Sequence, residues 1–172
     1  MILFPLHIFT RVTFVNNFAD DDGGAILNKD SMYFDDCLFE HNITDDDGGA
    51  ICSDSSAFTY IVNSYFLFND AYEEGGAIYS DYGSFLHVDS SIFSENIGDI
   101  VGGAISIYGA KSLISSSEFD YNFSYLAGGG IHSVQSQLEI ENCSFNDNES
   151  EHGGGIFSLK ESVLGPLKSP HS

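Results

Sequence analysis

A string of apolar and polar positions returns six times along the chain and predicts its organisation. Each copy joins Phe-x-x-Asn to Gly-Gly-Ala-Ile or Gly-Gly-Gly-Ile, and the first glycine follows the Asn by five or six positions. The copies begin at Phe14, Phe39, Phe66, Phe93, Phe119 and Phe145. Successive copies are 25 to 27 residues apart. A nearly constant period of this length predicts a structural repeat.

The positions within one copy predict short β-strands. Residues 58–66 are rich in β-branched and aromatic side chains with alternating burial, as in a strand that faces a core on one side. Phe66 ends this strand on its inward face. Asn69 then begins a turn, because Asn tolerates left-handed backbone geometry and bonds to neighbouring peptide groups. Such Asn residues would stack into a ladder, and the glycine pair indicates a backbone conformation closed to a Cβ or a close backbone approach.

These units predict an all-β fold, a right-handed parallel β-helix of about six coils. A period near 26 with two or three short strands fits a chain that winds once per repeat, and parallel crossovers are overwhelmingly right-handed. Leucine-rich, hexapeptide and calcium-binding nonapeptide solenoids need motifs that this sequence lacks. We expect the β-helix to cover residues 1–162, including an incomplete first coil at Met1–Thr10, and an irregular tail to follow at residues 163–172.

Residues at equivalent positions of successive repeats, which we call a column, predict the core. The repeat Phe and Ile residues should form two internal stacks, and a third apolar column precedes each Phe by five residues. This third column contains Phe9, Phe34, Ile61, Val88, Ile114 and Ile140. Neither end of the pattern carries an evident cap, so we expect a segment of a longer repeat protein, or self-association through the uncapped ends.

Composition narrows the function classes. The chain of 172 residues carries 26 acidic and 5 basic residues, a net charge of -21, together with 15 Phe and 9 Tyr. So many aromatic residues argue against a disordered acidic chain. An acidic surface repels phosphate and anionic lipid, so we expect no nucleic-acid partner and no direct membrane insertion. The three cysteines should be free, since Cys37 and Cys143 would lie four coils apart in one column.

Acidic residues before the glycine pairs are the best candidate for metal binding. They are Asp20, Asp21, Asp22, Asp45, Asp46, Asp47, Glu73 and Glu74. Stacked at strand spacing, and followed by Asp99, they would form a carboxylate stripe that could hold calcium, which prefers six to eight oxygen ligands. Ala127 and His152 should interrupt the stripe. A solvated turn kept soluble by charge explains the same residues without a ligand, and we favour that interpretation and expect no cofactor.

The repeat resembles that of the polymorphic outer membrane proteins, the autotransported surface adhesins first described in chlamydiae. The resemblance rests on the six pairs of Phe-x-x-Asn and Gly-Gly-Ala-Ile and covers about residues 9–158. It implies a β-helical passenger at a cell surface, such as an outer membrane, or outside the cell. The implied partner is an unknown host or cell-surface protein or glycan.

Catalysis on polysaccharides is the alternative function, because pectate-lyase-like enzymes also use parallel β-helices. Such enzymes wall a cleft with long insertions, whereas the coils here keep nearly one length. The basic residues are Arg11, Lys29, Lys111, Lys160 and Lys168, and none lies in a recurring acidic cluster. We therefore predict a non-enzymatic protein for adhesion or structural presentation, without catalytic residues. Polysaccharide binding or cleavage remains the alternative.

Overall fold

Each of the first five repeats folds into one coil of four short strands. The computed structural model describes residues 6–160 and contains strands and turns there, with no helix that could span a membrane. The strands are β1 (Leu6–Thr10), β2 (Thr13–Val15), β3 (Phe18–Ala19), β4 (Ile26–Asn28), β5 (Ser31–Asp35), β6 (Leu38–Glu40), β7 (Ile43–Thr44), β8 (Ile51–Ser53), β9 (Phe58–Val62), β10 (Tyr65–Leu67), β11 (Asp70–Ala71), β12 (Ile78–Ser80), β13 (Phe85–Asp89), β14 (Ile92–Ser94), β15 (Ile97–Gly98), β16 (Ile105–Tyr108), β17 (Lys111–Ser115), β18 (Glu118–Asp120), β19 (Phe123–Ser124), β20 (Ile131–Val134), β21 (Gln137–Glu141), β22 (Ser144–Asn146) and β23 (Ile156–Leu159).

The strands form four parallel sheets, because each strand pairs with its equivalent one coil later. The first sheet has the order β1-β5-β9-β13-β17-β21 and the second β2-β6-β10-β14-β18-β22. The third is β19-β15-β11-β7-β3 and the fourth β23-β20-β16-β12-β8-β4. The prediction of a parallel β-helix is confirmed. Four strands replace the expected two or three, since the two-residue strands of the third sheet are too short to show alternation.

The repeat Phe residues form one continuous internal stack, as predicted. Adjacent rings from Phe14 to Phe145 have centroids 4.6–4.9 Å apart and planes within 9° of parallel. Phe39, Phe66, Phe93 and Phe119 are fully buried. The Ile column and the column five residues before each Phe pack against this stack. Burial of one Phe side chain contributes about 3–5 kcal/mol, as judged by replacement with Ala.

The repeat Asn residues form the expected ladder. The side chains of Asn42, Asn69, Asn96 and Asn122 are fully buried, and each Nδ2 donates to the Oδ1 of the next Asn at 2.8–2.9 Å. Each Nδ2 also donates to the carbonyl of the repeat Phe one coil earlier, at 2.9–3.0 Å. The ladder thus ties every turn to both neighbouring coils.

The left-handed residue of this turn lies one position earlier than predicted. Positive φ occurs at His41, Phe68, Glu95 and Tyr121, each directly before the ladder Asn. The expectation that the Asn itself adopts this geometry is wrong, because its side chain is engaged inside the ladder. The position before it faces solvent and accepts many residue types.

The two repeat glycines serve two different purposes, and both match the prediction. The first glycine has positive φ, as at Gly75 (φ +68), where a Cβ is strained. The second allows close approach of coils, since a Cβ on Gly76 would lie 2.2 Å from the carbonyl oxygen of Gly103.

β1 lies at one edge of the first sheet. β1 pairs residue by residue with β5, and Phe9 stacks on Phe34; residues 1–5 of the expected incomplete first coil lie outside the described residues. The predicted tail, residues 163–172, lies outside the described residues. Cys37 and Cys52 are buried, Cys143 is half-buried, and all three are free, as predicted.

Candidate functional site

The predicted acidic stripe lies at the turn between the third and fourth sheets, on the first three coils. Asp22, Asp46, Asp47 and Glu74 are half-buried in this turn. The remaining predicted members, Asp20, Asp21, Asp45 and Glu73, are exposed. Only the half-buried group has the environment of a site, because exposed carboxylates are screened by water and salt.

Three carboxylates converge. Asp22, Asp46 and Asp47 each place one carboxylate oxygen within 4.8 Å of the other two. Oxygens on one calcium ion lie 2.3–2.6 Å from the metal, so this separation is compatible with a shared cation. The three residues would supply three of the six to eight oxygens that calcium prefers. We call Asp22, Asp46 and Asp47, together with Glu74, the acidic cluster.

Three of the four carboxylates of the acidic cluster accept hydrogen bonds from the coil that follows. The backbone N–H of Glu74 donates to Oδ1 of Asp47 at 3.0 Å, and the backbone of Asp47 bonds to the carboxylate of Asp22. The hydroxyl of Ser106 donates to Oε2 of Glu74 at 2.8 Å. The carboxylates of Asp22, Asp47 and Glu74 therefore have structural roles that need no cation.

The electrostatics of the acidic cluster favour a bound proton near neutral pH. Burial, followed by the charge of Glu74, raises the pKa of Asp47 to about 7. Burial also raises the pKa of Asp22 and that of Glu74, because a desolvated carboxylate beside like charges is more stable in its neutral form. Protonation of Asp47 relieves the repulsion in this turn without a metal.

The stripe ends one coil earlier than the sequence suggested. Val101 forms a parallel bridge to Glu74 and occupies the column that Asp22 and Asp47 begin. Asp99 follows β15 directly and belongs with Asp45, not with Glu74. The half-buried column of Asp22, Asp47 and Glu74 therefore ends at Val101, before Ala127, because the third turn position of coil four is apolar.

The sequence analysis did not identify a polar chain that starts at the acidic cluster and consists of Glu74, Ser106 and His132. The Ser106 hydroxyl, which donates to Glu74, lies 3.2 Å from Nδ1 of His132. Ser106 is fully buried, and burial lowers the pKa of His132. In a nucleophilic triad the His takes the Ser proton and the acid orients the His, whereas here acid and His both bond to the Ser. The signal in the sequence was the shared column of Ser106 and His132, which pair in register.

The family model of the right-handed β-helix region matches residues 8–168. The chain belongs to the right-handed β-helix family. Neither the curated proteins nor the solved structures gave a match to the chain. The right-handed β-helix family includes pectate-lyase-like enzymes and non-enzymes, so function must be argued from sites and not from the fold.

Proposed function

We propose that this β-helix is a non-enzymatic protein of a cell surface, such as an outer membrane, or of the extracellular space, and that it serves adhesion or structural presentation. The observation that carries the proposal is the unbroken register of all four sheets. Equivalent residues pair from coil to coil at separations of 25–27 residues. The turns therefore keep one size, and no long insertion rises from the described coils to wall a catalytic cleft.

The disposition of basic residues supports the same proposal. A β-elimination on an acidic polysaccharide needs a base and a group that neutralises the substrate carboxylate. Within residues 6–160, Lys29 forms an ion pair with Asp54 at 3.2 Å, on the surface. The acidic cluster lacks a cationic partner of this kind and would repel an anionic substrate.

The resemblance of the repeats to those of polymorphic outer membrane proteins supports adhesion in particular. In such a protein a stiff stack of coils holds its outward side chains at fixed intervals of about 4.8 Å, which suits a surface that must meet a partner without rearranging. The partner in this proposal is a protein or glycan of another cell.

An assay on polysaccharides tests the non-enzymatic part of the proposal. Purified protein would be incubated with polygalacturonate, alginate and neutral glucans, with and without CaCl2. The CaCl2 concentration would be about 1 mM, which is about ten times the Kd of a weak calcium site of about 0.1 mM. We expect no increase in reducing ends and no absorbance from unsaturated products. Turnover that is lost in Glu74→Gln or in His132→Ala would overturn the proposal and would place catalysis at the polar chain.

A further inference from the structure

A groove opens on the side of the β-helix where the second sheet turns into the third. It has a volume of about 520 Å³ and spans coils three to five. Its lining consists of Phe68, Asn69, Asp70, Glu95, Ile97 and Tyr121. Asn69 belongs to the internal ladder and forms the floor, and the other side chains reach outward. The groove lies apart from the acidic cluster.

Asp70 is the anomalous residue of the groove. The outward column of the third sheet is apolar on the neighbouring coils, with Ile43 and Ile97 paired to Asp70 on either side. Oδ1 of Asp70 is buried and has no hydrogen-bond partner among the described residues. A buried acceptor without a donor costs about 1–3 kcal/mol and calls for an explanation. Nothing in the fold requires a carboxylate here.

Two aromatic side chains and a second carboxylate stand beside Asp70. Phe68, Glu95 and Tyr121 occupy the left-handed position before the ladder Asn on successive coils, so the two rings are separated by about 9.6 Å, or two strand spacings, with Glu95 between them. The ring of His41 stacks on Phe68 at 5.0 Å, and the Tyr121 hydroxyl bonds to Asp147. Both rings are thus held in place from outside the groove.

We propose that this groove binds an arginine side chain in a basic segment of a partner protein. A guanidinium is planar, stacks on aromatic faces and donates to carboxylates in a fixed fork. Phe68 and Tyr121 offer the faces, the exposed carboxylate of Glu95 offers the acceptors, and the half-buried Asp70 adds a second negative charge beside them. Since Arg11 is the only arginine in the sequence and does not line the groove, and the chain has a net charge of -21, the arginine must come from another chain. The proposal rests on the proposed adhesive function and names the chemistry of its partner.

The test uses a short peptide with a single arginine, Ac-Gly-Ser-Arg-Ser-Gly-NH2, and its neutral citrulline counterpart. Each peptide is titrated into ¹⁵N-labelled protein in about 150 mM NaCl, which screens attraction to the acidic surface beyond about 8 Å. We expect chemical-shift changes confined to residues 68–70, 95–97 and 121 with the arginine peptide, and none with citrulline. Asp70→Asn and Glu95→Gln should each weaken binding about tenfold or more, because Asp70→Asn removes a negative charge next to the guanidinium and Glu95→Gln removes a charged hydrogen bond.

Glu139→Gln is the matched control. Glu139 is exposed on the first sheet, away from the groove, so this variant loses the same charge and should bind the peptide as the wild type does. The urea midpoint of Asp70→Asn should equal or exceed that of the wild type, which excludes misfolding as the cause of lost binding.

Three results would overturn the proposal. They are shifts spread evenly over the acidic surface, equal binding of the citrulline peptide, and groove shifts that appear only with a neutral oligosaccharide such as cellohexaose. The proposed function is measured separately, by attachment of protein-coated beads to cells. Attachment by Asp70→Asn at the wild-type level would contradict the arginine groove and leave adhesion standing.

Discussion

Replacement of one interior ladder residue, Asn96→Ala, should destabilise the protein far more than its loss of three heavy atoms suggests. Nδ2 of Asn96 donates to the Phe66 carbonyl and to Oδ1 of Asn122, both at 2.9 Å. Its Oδ1 accepts from the backbone N–H and the side chain of Asn69 at 3.0 and 2.9 Å. The variant loses all four bonds and leaves buried partners without replacements.

The magnitude follows from the number of bonds. A typical hydrogen bond contributes about 0.5–1.5 kcal/mol net, so Asn96→Ala should lower the free energy of unfolding by about 2–6 kcal/mol. Asn17 lies at the first coil and donates a single side-chain bond, to Asn42 at 2.7 Å. Asn17→Ala should therefore cost about 0.5–1.5 kcal/mol.

Urea unfolding followed by far-UV circular dichroism measures the difference. Asn146→Ala is the control, because the exposed Asn146 side chain bonds only to Asp120 among the described residues, and its loss should cost about 0.5 kcal/mol or less. If Asn96→Ala shifted the midpoint no further than Asn17→Ala, the ladder would not stabilise the coils and this reasoning would fail.

Three further predictions concern the glycines and the acidic cluster. Gly76→Ala should prevent close stacking of coils and yield little soluble protein, because the new Cβ would lie 2.2 Å from a carbonyl oxygen. In Gly83→Ala the atom nearest to the new Cβ lies 3.9 Å away, so this variant should cost only the left-handed backbone strain of about 1–2 kcal/mol. Expression yields and urea midpoints of the two variants measure the difference. The pKa of Asp47 is raised from 3.8 to about 7 in the folded protein, so the folded state binds the Asp47 proton more tightly than the unfolded state does. The stability that this protonation contributes is complete below about pH 4 and is lost as the pH rises to 7. Asp47→Asn should accordingly raise the urea midpoint relative to wild type at pH 8 more than at pH 4 in EDTA, and a pH-independent difference would contradict the shift. Calcium should move the midpoint of wild type no more than that of the double variant Asp46→Asn, Asp47→Asn, and a saturable calorimetric signal seen only with wild type would establish a metal site.

The fold was predictable because it repeats. One Phe, one Asn or one glycine pair carries little information, but six copies at nearly constant spacing fix which residues stack, and the stacked Phe rings and the Asn ladder follow from that spacing alone. The left-handed residue escaped prediction, since His41, Phe68, Glu95 and Tyr121 share no residue type. The third-sheet strands escaped because two residues cannot show a period.

The candidate sites were less predictable, for a physical reason. The sequence identified the acidic residues but not which would be half-buried, which depends on how the turn folds against the next coil. It did not show that Asp99 lies in the column of Asp45, because the turn before Gly102 carries Ile100 and Val101 where the first three coils carry acids. The groove could not be predicted from the sequence, since Phe68 and Tyr121 line it from positions two coils apart.

The most direct test of the account is attachment of coated beads to cells. Beads carrying the purified β-helix should attach saturably to cell monolayers in about 150 mM NaCl, and soluble protein should compete for attachment. Beads carrying an unrelated folded protein of equal negative charge provide the reference. Attachment above that reference, without turnover of any polysaccharide, is the result that we predict. Attachment equal to the reference would contradict an adhesive function.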